Sequence, residues 1–310
     1  MNFLLIVVGL VLLIFGGDWL LKSAVALSLK LKISKVVIGM TVVSFATSAP
    51  ELIVSINAAL TGSSDLALGN VIGSNVANLG LVLGITLLLG SMSVSKDFYK
   101  LNWPVMMIAS LLLYVFLWND SIIVWYEGLI LFVFLVSFIV YLLRSQKNFD
   151  IDEVLEEEIF LPNHKTLFFF VIGGLGLWGG SELLIKGATS LALEFGVTER
   201  VIGVTLVSIG TSVPELAASI IAVLKKEKAI SLGNLIGSNI FNILAVIGIT
   251  SIITPVSLTD QRLLSSDIFW MLAISFSILP MVLLPKKFKL NWINGLLLLV
   301  AYCSFIYVTI

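Results

Sequence analysis

The amino-acid sequence predicts an all-α integral membrane protein with ten transmembrane helices, arranged as two inverted repeats of five helices. Three observations lead to this prediction: a composition suited to lipid, ten long apolar segments, and an internal repeat at a fixed spacing. Of the 310 residues, 59% are hydrophobic and only 12% are charged. A soluble domain has about 25% charged residues, so this chain has too little polar surface to face water on all sides.

The net charge and the rarest residue types exclude several classes of function. A net charge of −1 argues against a nucleic-acid partner. Cys303 is the only cysteine and His164 the only histidine, which excludes an intrachain disulfide, a cysteine- or histidine-based metal centre and most triad chemistry. We therefore expect neither an enzyme nor a bound cofactor.

Ten segments are long and apolar enough to span a bilayer, which requires about 20 residues per helix. The first begins at Asn2 with no preceding Lys or Arg and continues past Asp18 without a cleavage site, so we interpret it as a helix and not as a signal peptide. The predicted spans are 2–29, 36–61, 66–91, 103–118, 121–143, 167–193, 200–224, 229–253, 267–285 and 290–310.

The distribution of Lys and Arg predicts the orientation of these helices, because cytoplasmic loops carry an excess of both residues. One set of alternate loops contains fourteen of them, whereas the other set contains only Arg200 and Arg262. We expect a multi-pass protein of the cell (inner) membrane with both termini outside and the loop 144–166 in the cytoplasm. The acidic run at 150–158 is interpreted as part of a solvated loop and not as a calcium sensor.

An internal repeat defines the domain organisation. A shift of 164 residues aligns 36–56 with 200–220 and, without a gap, 68–78 with 232–242. A unit of five spans is odd, so the second copy crosses the membrane in the opposite sense, as in secondary transporters whose site lies near the midplane between broken helices. The predicted divisions are a first repeat at 1–143 (motif region 36–84), a loop at 144–166, and a second repeat at 167–310 (motif region 200–248).

The motif T-S-x-P-E occurs once in each repeat and places an acid in the middle of a span. Pro50 and Pro214 lack a backbone N–H, so each helix is expected to break or kink there. S-x-x-E could be a capping box that restarts the helix, which is worth about 1 kcal/mol. An ionised acid at bilayer depth costs about 2.5–3.5 kcal/mol or more. We therefore favour cation binding by Glu51 and Glu215, and capping could coexist with it.

The motif G-N-x-I-G-S-N-x-x-N, at 69–78 and 233–242, adds amides and hydroxyls to two apolar spans. Its glycines are interpreted as packing residues. Packing explains its asparagines and serines less well, although the first two asparagines of each copy could serve only as ties between helices. Two carboxylates, hydroxyls, amide oxygens and freed carbonyls form a hard oxygen site suited to Na⁺, Ca²⁺ or Mg²⁺. Ca²⁺ accepts this flexible geometry better than Mg²⁺, and the two glutamates balance one divalent cation.

Two further acids lie within spans, Asp18 and Glu182. Each has a lysine four residues later, Lys22 and Lys186. We interpret each as half of an ion pair within its own helix, in preference to a role in gating or ion passage.

These paired motifs resemble the two α-repeats of the cation/calcium exchanger superfamily, in particular its prokaryotic sodium/calcium branch, over essentially the whole chain. The resemblance implies exchange of Na⁺ for Ca²⁺ by alternating access, with no resident cofactor. It also implies a set of ion ligands. These are Glu51 and Glu215 for both ions, the carbonyls of Thr47 and Thr211 for Ca²⁺, Ser48, Ser74, Ser212 and Ser238 with the carbonyls of Ser44 and Ser208 for Na⁺, and Asn78 and Asn242 at the centre.

The sequence departs from the family pattern at two positions. Asn242 stands where potassium-dependent members have Asp, which argues against a K⁺ requirement. Ala46 stands where the second copy has Gly210, which could alter the break in the second span.

Several alternatives remain open. Exchange of H⁺ for Ca²⁺, or of another divalent cation, would use the same site, although the proton-coupled branch has G-N-x-x-E at the glutamates. A cation channel and an intramembrane enzyme are weaker alternatives. The expected partners are Ca²⁺, Na⁺ and the lipid bilayer; no protein partner is evident, and the chain could act as a monomer.

Overall fold

The computed structural model describes residues 2–145, 161–195, 210–284 and 288–309, and these residues are mainly helical. Several long helices are interrupted by single π-helical segments. The helices are α1 (Asn2–Leu31), α2 (Lys35–Ile38), α3 (Ser44–Thr47), α4 (Ala49–Leu60), α5 (Ser64–Ala77), α6 (Leu83–Leu89), α7 (Trp103–Asp120), α8 (Trp125–Ser145), α9 (Asn163–Glu194), α10 (Val213–Leu224), α11 (Lys228–Phe241), α12 (Gly248–Ile253), α13 (Ile268–Leu283) and α14 (Trp292–Thr309).

The remaining elements are short. The π-helical segments are Gly39–Val43, Asn78–Val82, Phe98–Asn102, Asn242–Ile247 and Leu263–Asp267, and the strands are β1 (Met92–Ser93), β2 (Ile122–Ile123), β3 (Val256–Ser257) and β4 (Lys289–Leu290).

The helices match most of the predicted spans. In the described residues, eight helices are long and apolar enough to cross a membrane, and the bent pair Lys35–Thr47 and Ala49–Leu60 makes a ninth if it is one span. The predicted span 200–224 is described only from Gly210 onwards, where α10 forms its second half. The fourth predicted span is longer than expected, because a π-helical segment extends it to Phe98–Asp120.

The chain forms two compact units that do not coincide with the two sequence repeats. The first unit contains 1–47 and 138–234, and the second contains 48–137 and 235–310. Each unit therefore combines residues from both repeats. The repeat boundaries are divisions of the sequence and stay a prediction.

Helices α1 and α9, which are counterparts in the repeat, form a close pair in the first unit. A Cβ atom on Gly9 would lie 2.8 Å from the carbonyl oxygen of Gly180. A Cβ atom on Gly173 would lie 2.6 Å from the backbone nitrogen of Leu20. Early residues of α1 therefore contact late residues of α9 and the reverse, so the two helices are antiparallel. Inverted copies require this relation for their first helices.

The second unit contains two short antiparallel ladders, each joining the two repeats. Strand β1 pairs with β4, and β2 pairs with β3. In the register, Met92 lies opposite Leu290, and Ile123 lies opposite Val256. Strands β1 and β3 are counterparts in the repeat, because they are 164 residues apart. Each of them pairs with a strand from the other copy.

Candidate functional site

The first T-S-x-P-E motif breaks its helix as predicted. Helix α3 ends at Thr47 and α4 begins at Ala49, with a bend of 44° between the two segments. Ser48 lies at the break with φ −90° and ψ 3°, and Pro50 lies in the first turn of α4. Proline is tolerated in a first turn because its missing N–H would have no helical partner there.

The second motif has the same local geometry. Ser212 has φ −88° and ψ 2°, and Pro214 lies in the first turn of α10. Thr211 and Ser212 form a turn between Gly210 and α10. The two copies of the motif therefore produce one backbone arrangement twice.

The capping interpretation of these motifs is not realised by the serine side chains. Ser48 and Ser212 occupy the N-cap positions of α4 and α10, but neither side chain makes a capping hydrogen bond. A serine cap normally accepts a bond from a backbone N–H two or three residues later. The hydroxyl oxygens of both residues are thus not used for this purpose.

Glu51 and Glu215 are completely buried, each with 0% exposure. Each lies in the first turn of the helix that follows its break. The partial positive charge of a helix N-terminus stabilises a carboxylate there by about 0.3–1 kcal/mol. This is less than the cost of burying an ionised carboxylate at bilayer depth. Glu51 belongs to the second unit and Glu215 to the first.

A polar cluster in the first unit surrounds Thr47. The Thr47 hydroxyl donates to Asn234 Oδ1 at 3.2 Å, and the Ser44 hydroxyl donates to the Asn234 carbonyl at 2.9 Å. Asn234 Nδ2 in turn donates to Ser219 Oγ at 3.4 Å. The end of α3 is thereby connected to α11 and α10. The Ser44 carbonyl, a predicted ligand, accepts a longer bond of 3.4 Å from the Thr47 hydroxyl.

A second cluster lies in the second unit and is built from asparagines. Asn242 Nδ2 donates to Asn75 Oδ1 at 3.1 Å, and Asn75 Nδ2 donates to the Asn239 carbonyl at 3.2 Å. Asn70 Nδ2 lies 3.3 Å from the Glu51 carbonyl and 3.0 Å from Ser55 Oγ. Helix α4 also packs against the segment Asn242–Ile247, so Glu51, Asn75 and Asn242 belong to one packed region of the second unit.

Some buried polar atoms of the predicted site have no partner in the described residues. They are both side-chain polar atoms of Asn78, the Oδ1 atom of Asn242 and the hydroxyl of Ser212. A buried polar atom left unsatisfied costs about 1–3 kcal/mol. Three such residues within the motifs indicate atoms that are available to a ligand. Carbonyl-type and hydroxyl oxygens suit a hard cation.

Both central asparagines start a π-helical segment. Asn78 begins Asn78–Val82 and Asn242 begins Asn242–Ile247. Segments of this kind inside α-helices are frequent at functional sites. The same irregularity therefore marks the same motif position in both copies.

The other predicted ligands are placed as follows. Ser74 and Ser238 are buried on α5 and α11 in the second unit. Thr211 is half-buried in the first unit, and Ser208 lies outside the described residues. In the described part of the chain, no group of three or more His, Cys, Asp or Glu residues could hold a metal ion, so any cation site depends on neutral oxygens.

The structure adds residues that sequence reasoning did not include in the site. Asn75 and Asn234 were predicted to tie helices together, and they do so by bonding directly to the candidate ligands Asn242 and Thr47. The repeat of G-N-x-I-G-S-N marked both asparagines, but spacing alone did not show which side chains they contact.

The intramembrane acids gave a mixed outcome. Asp18 forms the predicted ion pair with Lys22 at 2.8 Å and a further one with Lys225. The corresponding prediction for Glu182 was wrong: in the described residues Glu182 and Lys186 form no ion pair, and both are exposed. Because both side chains are exposed in the described residues, solvent can stabilise each charge separately.

The chain resembles known proteins over most of its length. The chain matches the family described as sodium/calcium exchanger protein over residues 1–144 and 165–310. It is 38% identical to the putative antiporter CaxA of Alkalimonas amylolytica, covering 97% of this chain and 96% of that protein. It is 37% identical to the inner membrane protein YrbG of Escherichia coli, covering 87% and 85%.

A solved structure of the sodium-calcium exchanger NCX_Mj superimposes with a TM-score of 0.84 at 26% identity, covering 100% of this chain and 99% of that one. The family match extends over nearly the whole chain and includes both breaks and both asparagine motifs. The chain is therefore a member of the sodium/calcium exchanger protein family.

Proposed function

We propose that this protein is an antiporter that exchanges Na⁺ for Ca²⁺ by alternating access, with the ions bound between Glu51 and Glu215. The observation that carries the proposal is the pair of fully buried glutamates, each in the first turn after a break of the same geometry. Two carboxylates at bilayer depth are too costly to keep ionised without a cation. Ten spans in two inverted repeats form part of the same proposal.

The proposed ion shell combines these carboxylates with neutral oxygens. The carbonyls of Thr47 and Thr211 complete the Ca²⁺ shell, which accepts six to eight oxygens in flexible geometry. The buried atoms of Asn78, Asn242 and Ser212 that have no partner in the described residues support this assignment. The flanking Na⁺ sites consist of Ser48, Ser74, Ser212 and Ser238 with the carbonyls of Ser44 and Ser208.

Charge balance explains why the exchange is obligatory. Two glutamates carry a charge that matches one Ca²⁺, and an empty site of that charge is too costly to move between the two sides. Ca²⁺ therefore leaves only when other cations replace it. The described residues place no lysine or arginine among the buried side chains, so the replacing charge has to come from solution.

Proton coupling is the second candidate. A buried glutamate can take up a proton, because burial disfavours its charged form. Asn242, the amide at the centre of the second cluster, bonds to Asn75 and has no proton to exchange at neutral pH. Among the predicted ion ligands, only the two glutamates can carry protons, which favours Na⁺ as the coupling ion.

The charge bias of the loops supports a location in the inner membrane with both termini outside and the loop 144–166 in the cytoplasm. The relative YrbG is described as an inner membrane protein. Ca²⁺, Na⁺ and the bilayer are the proposed partners, and the chain acts as a monomer.

The test is uptake of radioactive Ca²⁺ into proteoliposomes that are loaded with Na⁺ and diluted into Na⁺-free buffer at constant pH. We expect uptake that disappears when choline replaces the internal Na⁺. Uptake that ignores Na⁺ but follows a pH gradient would assign the protein to proton coupling. Flux that needs no counter-ion and does not saturate would assign it to the channels.

A further inference from the structure

A small cavity lies within the first unit, on one side of the Thr47 cluster. It is lined by α1, α10, α11 and Val43 of the broken second span. The cavity offers about 10 Å³ to the centres of water molecules, which is about the smallest space that holds one water. Most of the lining is apolar, and among the described residues only Ser231 and Asn234 contribute polar side chains.

Ser231 is the unusual member of this lining. It is 0% exposed, and its hydroxyl has no hydrogen-bond partner in the described residues. An unsatisfied buried hydroxyl is unfavourable unless water or another ligand reaches it. A resident water needs two to four hydrogen-bond partners, whereas among the described residues this cavity offers a single free polar atom, the Ser231 hydroxyl. A water or ion in the cavity would therefore bind weakly and exchange readily.

The cavity is directly connected to the proposed site. Asn234 lines the cavity and accepts the hydrogen bond of Thr47, whose carbonyl is a proposed Ca²⁺ ligand. Ser231 lies one helical turn before Asn234 on α11. The polar atoms therefore run from the ligand Thr47 through Asn234 to Ser231, towards the end of α11 that carries Lys228.

An ion pair holds together the two helices that form the opposite wall. Leu20 and Leu21 of α1 line the cavity beside α10, and the neighbouring Asp18 binds Lys225 at the end of α10 as well as Lys22 on its own helix. A part-exposed ion pair of this kind contributes modestly. Separation of Asp18 from Lys225 would remove one of the contacts between α1 and α10 and so make the cavity easier to widen.

We propose that this cavity is a closed station on the pathway by which a partly hydrated cation passes between the site and the lysine-rich side, with the Ser231 hydroxyl as its oxygen contact and the Asp18–Lys225 pair as its gate. The assignment rests on the proposed function, since it takes Thr47 as an ion ligand. Weak binding suits a station, because an ion must leave it as readily as it arrives.

The repeat makes this station specific to one side. The counterpart of Ser231 in the first copy is Ala67, and the counterpart of Lys225 is Thr61. Ala67 offers no oxygen, and the Thr61 hydroxyl bonds to carbonyls of its own helix. The polar contact and the ion-pair gate are therefore absent at the equivalent positions of the first copy.

The test uses thiol accessibility in the full chain, with Cys303→Ser as a background free of cysteine. Ser231→Cys is treated with a membrane-impermeant cationic methanethiosulfonate on right-side-out and inside-out vesicles, with Ala67→Cys as the matched control. We expect Ser231→Cys to be modified only from the lysine-rich, cytoplasmic side, and Ala67→Cys not to be modified from that side. Adding Lys225→Thr should speed modification of Ser231→Cys by about 1.5- to 5-fold, as expected for loss of a part-exposed ion pair.

Labelling of Ser231→Cys from neither side, from the outer side, or equally from both sides would overturn the proposal. An unchanged rate in Lys225→Thr would overturn the gate. Labelling does not require transport, so it tests the pathway separately from the proposed function. One-sided labelling in a protein without Na⁺-dependent uptake would refute the proposed exchange but would still support a pathway through this cavity. The milder Ser231→Ala, which cannot be labelled, should slow Ca²⁺ uptake at saturation without changing the half-saturating Ca²⁺ concentration.

Discussion

At the scale of single residues, the candidate site is marked by an imbalance: burying its two carboxylates in ionised form costs more than the helix dipole returns. Glu51 and Glu215 are fully buried at helix N-termini, where the helix dipole contributes about 0.3–1 kcal/mol. Insertion at bilayer depth costs about 2.5–3.5 kcal/mol or more for comparable charges. The helix dipole alone does not cover this difference, which supports the proposal that a cation binds at the two carboxylates.

Replacement of either glutamate by glutamine tests this imbalance. We expect Glu51→Gln and Glu215→Gln each to reduce Ca²⁺ uptake by at least about a hundredfold, because removal of one partner of a buried charge pair costs about 3–5 kcal/mol. Ca²⁺ should also lose its effect on the unfolding temperature in detergent. Glu182→Gln, at an exposed acid within a span, serves as the control and should transport normally. Normal uptake by both glutamine variants would refute the site.

Asn234 provides a second test at this scale, as a positioning residue. Its Oδ1 atom accepts the Thr47 hydroxyl, so Asn234→Ala should raise the half-saturating Ca²⁺ concentration by about tenfold, the effect of about 1.4 kcal/mol. The maximal rate should change less. Thr86→Ala removes a buried hydroxyl that, in the described residues, bonds only to carbonyls of its own helix, and it should leave Ca²⁺ affinity unchanged. Equal affinities in the two variants would contradict the positioning role.

At the scale of elements, the sequence predicted what depends on local chemistry. The breaks at Ser48 and Ser212 follow from the prolines two residues later, and the two copies of the motif have nearly identical backbone angles. The ion pair of Asp18 with Lys22 followed from helical spacing. Its bond to Lys225, 207 residues away, did not, because spacing along one helix carries no information about a neighbouring helix.

Other elements were too short or too dependent on packing to be predicted. The two-residue strands β1 and β4 pair across the two repeats, and two residues contain no readable alternation. The π-helical segments that start at Asn78 and Asn242 change the helix by one residue per turn. A composition-based assignment of spans cannot detect such a change.

The interface of α1 and α9 yields a prediction about stability. A Cβ atom on Gly173 would lie 2.6 Å from the Leu20 nitrogen and 2.9 Å from the Gly16 carbonyl oxygen. These are backbone atoms that cannot rotate away, so Gly173→Ala should destabilise the protein by about 1–3 kcal/mol. At Gly179, a Cβ atom would have no neighbour within 4 Å among the described residues, and Gly179→Ala should be neutral or stabilising. Thermal unfolding in detergent compares the two, and equal stabilities would contradict the close packing.

At the scale of the whole molecule, one pair of equivalent turns shows both the internal repeat and the bias of Lys and Arg towards one side. Gly62 and Lys226 are counterparts 164 residues apart, and both adopt a left-handed conformation with φ 80° and 66°. Glycine adopts it freely, whereas a residue with a Cβ atom loses about 1–2 kcal/mol. The second copy has a lysine at this strained position, where the first copy has the glycine that fits it without strain. The lysine adds positive charge to the lysine-rich side of the membrane. The charge bias is thus maintained against a local cost, which supports its use to assign orientation.

Orientation can be measured with one cysteine on each side in the Cys303→Ser background. His164 lies at the start of α9 and Ser63 before α5, and both are exposed. The lysine bias predicts that His164→Cys reacts with an impermeant reagent only in inside-out vesicles, and Ser63→Cys only in right-side-out vesicles. The opposite pattern would invert the assignment and place the cavity at Ser231 on the outer side. Three predicted spans separate Ser63 from His164, so the two cysteines should lie on opposite sides. Reaction of both from the same side would mean an even number of crossings between them, which would refute the ten-span topology with its inverted repeats.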